Sequence, residues 1–242
     1  MGRVLGAMAV AVLAGGACGG AREPDLTVLA AASLTDAFEE IAAEFEADRD
    51  VDVTLSFGAS SSLREQILEG APADVFASAG SGPVEALVQA GEVGEPATFA
   101  RNRLAIAVPA GNPAGVRSLE DLADGSLLLG VCAPEVPCGA LARTVLEAAG
   151  VAAEPDTEEP DVRALLTKVE EAELDAGLVY VTDVLAAGDA VEAVDLPGDA
   201  STAYPIAVVD GAGATDLASD FVDFVLGEDG QRILREAGFG AP

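Results

Sequence analysis

The sequence predicts an α/β protein in which mostly parallel sheets are covered by helices on both faces. Strand-like and helix-like hydrophobic patterns alternate from residue 26 to the end of the 242-residue chain, and such alternation is typical of parallel sheets with helical crossovers. The chain is 50% hydrophobic and 22% charged, a composition that indicates a folded protein and not an acidic disordered tail. Its length suits one large domain or two lobes of about 100 residues each.

Each predicted element has its own pattern. Residues 26–30 form a short apolar run, whereas Leu34, Phe38, Ile41 and Phe45 recur at the spacing of one helical face. The same criteria predict strands over residues 26–30, 51–57, 74–77, 104–108, 126–131, 176–180 and 204–209. They predict helices over residues 34–47, 63–68, 83–90, 140–149, 162–172, 217–226 and 229–237.

The charge of the chain excludes several classes of function. Lys and Arg number 12 and Asp and Glu number 42, which gives a formal net charge of −30, and there is no histidine. Such acidity leaves no basic surface for nucleic acid or an anionic membrane. Without histidine there is no Ser-His-Asp triad, no Cys-His dyad and no imidazole metal ligand. We therefore predict that the protein is not an enzyme and that no side chain coordinates a metal directly.

Residues 1–18 are typical of a secretory signal. The small and apolar run over residues 4–16 is shorter than the roughly 20 residues that span a bilayer. Cys18 follows small residues as in the lipobox of bacterial lipoproteins, although Gly15 stands where that pattern usually has an aliphatic residue. We predict a lipid anchor at Cys18, with plain secretion as the alternative, then a tether over residues 19–25. Either way the mature protein works outside the cytoplasmic membrane.

Two further cysteines, Cys132 and Cys138, flank a short loop. In an oxidising compartment such a pair favours a disulfide, which contributes about 2 kcal/mol and rigidifies the loop. The alternative is two reduced, buried thiols. Cys138 is a poor candidate for a nucleophile, because no histidine is available to generate or orient a thiolate.

Hydroxyls and backbone N–H groups follow several predicted strands. Ser33 precedes the first helix, and Asp36 follows three residues on as in a capping box. The second helix is preceded by Ser60, Ser61 and Ser62, and two more helix starts lie in the segments 136–140 and 159–163. A single serine in such a place is usually a cap. Helix amino termini that converge at the carboxyl ends of strands, however, form an anion site without formal charge.

These junctions resemble those of a known family. The segments 27–37 (TVLAAASLTDA), 56–63 (SFGASSSL) and 70–78 (GAPADVFAS) are similar to the periplasmic molybdate-binding proteins of ABC transporters. Later segments that fall in that family's order are 134–139, 161–165, 177–180 with Asp183, and 204–209. The resemblance covers nearly the whole mature chain.

The resemblance implies a two-lobed, type II periplasmic-binding fold, in which each lobe is a mostly parallel sheet flanked by helices. The first lobe would hold residues 26–101 and 205–242, and the second lobe would hold residues 102–204. Two crossovers, near Asn102 and Tyr204, would form the hinge.

The same resemblance implies which residues contact the ligand. Ser33 and Ser60 would bind it from the first lobe through hydroxyl and backbone N–H groups. The second lobe would contribute the backbone N–H groups of Cys138 and Val162 and the phenol of Tyr180. Members of the family have alanine, another small residue or tyrosine in place of Cys138, a harmless difference if only the backbone is used. Without the resemblance, Tyr180 would be assigned to the core.

A site made only of donors suits an oxyanion that carries no proton. Molybdate is such a dianion at neutral pH, whereas phosphate would be expected to need an acceptor for its remaining proton. Arg101, Arg103 and Arg163 lie near the predicted cleft, but we expect them at the surface or the hinge and not as ligands. Asp74 and Asp183 are predicted to be structural caps or hydrogen-bond acceptors, since carboxylates facing a dianion repel it.

We therefore predict an extracytoplasmic substrate-binding protein that captures molybdate, and tungstate, by hinge closure and delivers it to an ABC transporter permease. It would be a monomer with no cofactor and no nucleic-acid partner, and it would contact the membrane only through the lipid anchor. The alternative is the same fold binding another tetrahedral oxyanion such as sulfate, or a small organic anion. An enzyme using Ser60 or Cys138 is disfavoured, because the one lysine, Lys168, lies inside a predicted helix.

Overall fold

The computed structural model describes Gly2 and residues 25–47, 49–198 and 200–242. The rest of the predicted signal, with Cys18, and the tether up to residue 24 lie outside the described residues. Among the helices of these described residues, none combines the length and the apolar composition that a membrane-spanning segment requires.

The described residues form nine strands and eight α-helices. The strands are β1 (Leu26–Ala31), β2 (Val53–Gly58), β3 (Val75–Ala77), β4 (Ala97–Pro109), β5 (Leu129–Cys132), β6 (Thr157–Glu159), β7 (Ala176–Tyr180), β8 (Val191–Asp195) and β9 (Ser201–Val208). The helices are α1 (Thr35–Ala47), α2 (Ser60–Leu68), α3 (Ser81–Ala90), α4 (Pro137–Ala149), α5 (Val162–Glu170), α6 (Val181–Ala187), α7 (Thr215–Leu226) and α8 (Glu228–Glu236). A short 3-10 turn, Ala32–Leu34, precedes α1.

Two sheets share the long strand β4. The first sheet has the order β2-β1-β3-β9-β4. The second sheet has the order β4-β7-β5-β6, and β8 also pairs with β4. From Ala97 to Arg103, β4 pairs with β9, and from Leu104 onward it pairs with β7 and β8. The chain thus leaves the first lobe along β4, builds the second lobe, and returns through β9.

The two sheets contain the parallel pairs that the sequence predicts, together with antiparallel pairs that it does not. The pairs β1–β2, β1–β3, β5–β6 and β5–β7 are parallel. The pairs that include β4 or β9 are antiparallel. These two strands run side by side in opposite directions because the second lobe is inserted between them.

Four elements differ most from the sequence-based prediction, and the bounds of the other strands and α-helices differ by at most three residues. Strand β4 begins at Ala97 and not at residue 104. The prediction missed its first half because the exposed Arg101 and Arg103, which alternate with buried residues, interrupt the apolar run. The short elements β6, α6 and β8 were not predicted. Strand β8 has exposed residues along most of its length, so its sequence lacks the apolar pattern by which strands are recognised.

Aromatic residues pack the C-terminal helix α7 against α1 of the first lobe. Phe221 of α7 is fully buried and lies edge-on to Phe38 and Phe45 of α1, with ring centroids 6.2 and 5.2 Å apart. Phe38 in turn contacts Phe99 of β4 at 5.7 Å. Edge-to-face pairs add about 1 kcal/mol each beyond the burial of their surface. The end of the chain is therefore part of the core that supports β4.

Phe221→Ala should lower the free energy of unfolding by about 3–5 kcal/mol, because it leaves a cavity and removes two ring contacts. Urea unfolding followed by circular dichroism measures the change. Leu128→Ala is the control, since Leu128 is 50% exposed and its loss should change stability by less than about 0.5 kcal/mol. Equal effects of the two substitutions would contradict the proposed role of the aromatic cluster.

Candidate functional site

The starts of helices from both lobes meet around one small cavity. All five residues predicted to contact a ligand line it, namely Ser33, Ser60, Cys138, Val162 and Tyr180. The remaining described wall consists of Ala31, Ala32, Gly58, Ala59, Ala79, Val136, Pro137 and Asp161. The cavity volume is about 20 Å³, close to the about 10–15 Å³ that one water molecule requires. The arrangement therefore suits a compact group and not a large organic molecule.

Ser33 lies in the 3-10 turn after β1 and is buried. Its hydroxyl is 2.8 Å from the Tyr204 hydroxyl and does not cap the helix. Asp36 also takes no part in a cap, because its carboxylate pairs with Arg163. The predicted capping box is therefore wrong, and tertiary contacts direct both side chains away from the local backbone.

Ser60 is the first residue of α2, and its side chain is not the cap of that helix either. Its hydroxyl oxygen accepts a hydrogen bond from the Ala79 N–H at 3.0 Å, which ties the start of α2 to the loop after β3. The first N–H groups of a helix have no acceptor within the helix. With no side-chain cap on α2, these donors are directed to the cavity end of the helix.

In the second lobe, α4 begins with Pro137, which has no N–H group, so Cys138 provides the first backbone donor of the helix. Cys138 forms a disulfide with Cys132 at the end of β5, with the two Cα atoms 5.8 Å apart. A side chain at Gly139 would collide with the carbonyl oxygens of Cys132 and Ala133. The bridge and this glycine together hold the start of α4 tightly against the end of β5.

The start of α5 leaves one backbone donor outside its cap. The Asp161 carboxylate accepts from the N–H groups of Arg163 and Ala164 at 2.9 and 3.0 Å. The N–H of Val162, which lines the cavity, is not part of this cap. Asp161 is the one charged residue of the described cavity wall, and the cap occupies one of its oxygens.

Tyr180 ends β7 and is almost completely buried. Its hydroxyl donates to the Ala79 carbonyl across the cleft at 3.4 Å, a long hydrogen bond. Burial raises the pKa of the Tyr180 phenol far above its usual value, so the group stays neutral and keeps its proton. It is therefore a hydrogen-bond donor at every physiological pH.

Arg163 joins the two lobes beside the cavity without lining it. Its guanidinium pairs with Asp36 of α1, and its Nε lies 3.3 Å from Oδ1 of the fully buried Asp183. Asp183 also accepts from the Tyr180 N–H at 3.0 Å. Arg163 is thus paired with two carboxyl groups, in agreement with the prediction that it is not a ligand.

The other predicted non-ligand residues also lie away from the cavity. Arg101 is exposed, and the exposed Arg103 pairs with Asp195 at 3.2 Å. Asp74 accepts from the Thr27 N–H at 2.7 Å, so Asp74, like Asp183, is a hydrogen-bond acceptor as predicted. In the described part of the chain, no group of three or more Cys, Asp or Glu residues is arranged to hold a metal ion.

Sequence reasoning missed a buried polar network behind Ser33. Tyr204, Asn102 and Thr182 are all buried, and hydrogen bonds join Ser33 to Tyr204 and Asn102 to Thr182. Asn102 and Tyr204 were predicted only as hinge positions. A polar residue inside an otherwise apolar strand is the one signal that the sequence offers for such a network.

The fold and the site together define a two-lobed solute-binding protein. The family described as bacterial extracellular solute-binding protein matches residues 26–240, and the chain belongs to this family. Because its members bind solutes and are not enzymes, the comparison supports the prediction of a binding protein and the expected location outside the cytoplasm.

Individual relatives narrow the comparison. The chain is 41% identical over 221 residues to the molybdate-binding protein ModA of Mycobacterium tuberculosis, an alignment that covers 90% of this chain and 85% of the relative. It is 33% identical over 235 residues to ModA of Escherichia coli, covering 90% of each chain. The structure of the periplasmic molybdate-binding protein of Azotobacter vinelandii superposes with a TM-score of 0.80 at 21% identity, covering 90% of this chain and 99% of the other.

Asp183 should make stability depend on pH. Burial raises its pKa from 3.8 to about 7, against the lowering effect of Arg163 and the Tyr180 N–H and with a smaller raising effect of Asp36 and Asp161. Between these two values the folded protein keeps a proton that the unfolded chain has released, so stability from this group falls as pH rises.

Asp183→Asn should remove this component of the pH dependence while keeping an oxygen for the Tyr180 N–H. Relative to wild type, the variant should gain roughly 2 to 4 kcal/mol of unfolding free energy between about pH 4 and about pH 7. Urea unfolding of both proteins at the two ends of this range measures the gain. A difference between the proteins that stays constant with pH would contradict the raised pKa.

Proposed function

We infer that this protein binds molybdate, and with it tungstate, in the cavity between its lobes and delivers the anion to the permease of an ABC transporter. The observation that carries the proposal is the convergence of helix starts from both lobes on a cavity whose described wall includes hydroxyls and backbone N–H groups and no cationic side chain. The two ModA relatives, 41% and 33% identical, support molybdate as the ligand.

The proposed contacts use neutral donors from both lobes. The hydroxyls of Ser33 and Ser60 bind from the first lobe, and the N–H groups of Cys138 and Val162 and the Tyr180 phenol bind from the second. All five residues are at least nine-tenths buried, with 1–4% exposure. Donors in a site of low dielectric interact more strongly with an anion than the same donors in water. Molybdenum is held as its oxyanion, so no side chain coordinates the metal and no cofactor is needed.

The net charge of −30 does not prevent binding. Salt screens the repulsion beyond about 10 Å at ordinary ionic strength, so donors in direct contact determine the affinity. The repulsion acts mainly on the rate of association. The described wall carries no cationic side chain, and the nearby Arg163 is paired with Asp36 and Asp183.

Binding would proceed by closure of the two lobes. The proposed lobes are residues 26–101 with 205–242 and residues 102–204, and the proposed hinge lies near Asn102 and Tyr204. This assignment is supported by the change in the partners of β4 between its two halves. The anion meets one lobe first, and the second lobe then completes its shell and excludes water.

The contact between Arg163 and Asp36 joins the lobes and would stabilise the closed form, which the permease recognises. We also propose, from the sequence, that the protein is a monomer and that a lipid at Cys18 anchors it to the membrane. Sulfate, another tetrahedral dianion, is the alternative ligand for the same donors.

The first test is thermal unfolding of residues 25–242 with millimolar molybdate, tungstate, sulfate or phosphate, each against a salt of equal ionic strength. A ligand at 100 times its Kd stabilises by about 2.7 kcal/mol, so the midpoint should rise by roughly 5 to 10 °C with molybdate and tungstate. A shift with sulfate alone would change the ligand and keep the site. No shift with any oxyanion would contradict the proposal.

Ser60→Ala should weaken molybdate binding about 10- to 100-fold, because a hydrogen bond to a charged group contributes about 1.5–3 kcal/mol. Titration calorimetry measures the change. Ser61→Ala is the matched control, because Ser61 is also buried in the first turn of α2 but does not line the cavity. The Ser61→Ala variant should bind molybdate with the affinity of wild type. Equal affinities of the two variants would argue against a ligand contact at Ser60.

A further inference from the structure

We propose that Asn102 and Tyr204 are positioning residues that fix the Ser33 hydroxyl as a hydrogen-bond donor toward the cavity. The network would thereby make the site discriminate against oxyanions that carry a proton. This inference rests on the proposed function, since it concerns how the same cavity selects among tetrahedral oxyanions. Three observations carry it: the orientation of the Asn102 amide, the number of protons available, and the burial of every member.

The first observation is that the backbone determines the orientation of the Asn102 amide. The N–H of Arg103 donates to Oδ1 of Asn102 at 2.9 Å, so the amide nitrogen must lie on the opposite side. That nitrogen, Nδ2, is 2.8 Å from the Thr182 hydroxyl and 3.4 Å from the Tyr204 hydroxyl. Because an amide NH₂ group can only donate, the Tyr204 oxygen faces a donor on this side.

The second observation concerns the single proton of Tyr204. A phenol has one proton to donate, and the Asn102 amide cannot accept it. The Ser33 oxygen lies 2.8 Å from the Tyr204 oxygen, an ordinary O–H···O distance. Of these two hydrogen-bonded neighbours of the Tyr204 hydroxyl, only Ser33 can accept, so we infer that Tyr204 donates to Ser33. The Ser33 hydroxyl already accepts this proton, so its own proton is free to point into the cavity that Ser33 lines.

Tyr180 is the other group near Tyr204 that could accept this proton. The two rings are edge-on with centroids 5.9 Å apart, and the Tyr180 hydroxyl is directed to the Ala79 carbonyl. The short contact between Tyr204 and Ser33 makes Ser33 the favoured acceptor. Because the Tyr180 proton is directed to Ala79, Ser33 is the hydroxyl of this network whose proton faces the cavity.

The third observation is that water has little access to this network. Tyr204 is fully buried, and Ser33, Asn102 and Thr182 are 4–5% exposed. A buried donor without an acceptor costs about 1–3 kcal/mol. If the O–H group of an anion faces the Ser33 proton, two donors oppose each other. An anion with no proton accepts the Ser33 proton instead. The network thus selects by the protonation of the ligand and not only by its size.

The experiment compares molybdate with arsenate, which at mildly alkaline pH is also a tetrahedral dianion but retains one proton. Titration calorimetry gives the Kd of each anion for wild type, Tyr204→Phe, Ser33→Ala and the double variant. Tyr204→Phe keeps the ring and its edge contacts with Phe99 and Phe239 while removing the hydroxyl. Ser33 can then rotate and accept a proton from the ligand.

We expect wild type to prefer molybdate, and we expect Tyr204→Phe to lower the preference for molybdate over arsenate at least tenfold. Ser33→Ala should weaken the binding of both anions, because it removes a donor and supplies no acceptor. In the Ser33→Ala background, the Tyr204 substitution should leave the preference unchanged, since Tyr204 acts through Ser33.

Asn102→Asp provides a second variant, because it replaces the donor that faces Tyr204 with an acceptor. Tyr204 should then donate to the carboxylate, Ser33 should donate to Tyr204, and the preference should fall as it does in Tyr204→Phe. Melting curves without ligand confirm that each variant is folded.

Two results would overturn the inference while leaving the proposed function intact. One is that Tyr204→Phe and Asn102→Asp each weaken the binding of molybdate and of arsenate by the same factor, as a purely structural role requires. The other is that Tyr204→Phe changes the preference equally with and without the Ser33 hydroxyl. If wild type binds no oxyanion, the proposed function itself fails.

Discussion

The antiparallel contact between β4 and β9 is the constraint on which the rest of the structure depends. These strands share the middle of the first sheet, and the second half of β4 pairs with β7 and β8 of the other sheet. Because one strand belongs to both sheets, the helix starts of the first lobe are brought opposite those of the second. The cavity lies where these helix starts meet.

The site combines local hydrogen-bond donors with a described wall that has no cationic side chain. Helix starts and hydroxyls supply the donors, while the arginine beside them is paired with Asp36 and Asp183. A free guanidinium would attract many anions of different shapes, since charge acts over a longer distance than a hydrogen bond. Neutral donors at fixed positions instead require an anion whose oxygens match them, which favours selectivity over long-range attraction.

Buried polar groups support this arrangement from behind. The Asp183 carboxylate holds the Tyr180 backbone, and Tyr204 contacts Ser33. On the second lobe, the disulfide between Cys132 and Cys138 holds the start of α4. Each support reaches a residue of the cavity wall from a different element and helps to hold that residue in place. Rigid donors lose little entropy when an anion binds.

The sequence by itself determined the fold class and most of the helices and strands, whereas the five residues that meet at the cavity were assigned through the resemblance to a known family. Hydrophobic periodicity and local motifs are properties of neighbouring residues, so a single chain displays them. The sequence could not reveal that Ser33 and Asp36 do not form the predicted helix cap. Their actual partners, Tyr204 and Arg163, are distant in the chain. It also missed the first half of β4, whose exposed arginines hide the buried Asn102. Tertiary structure alone decided these contacts, since a hydrogen bond between distant residues depends on how the whole chain packs and not on local pattern.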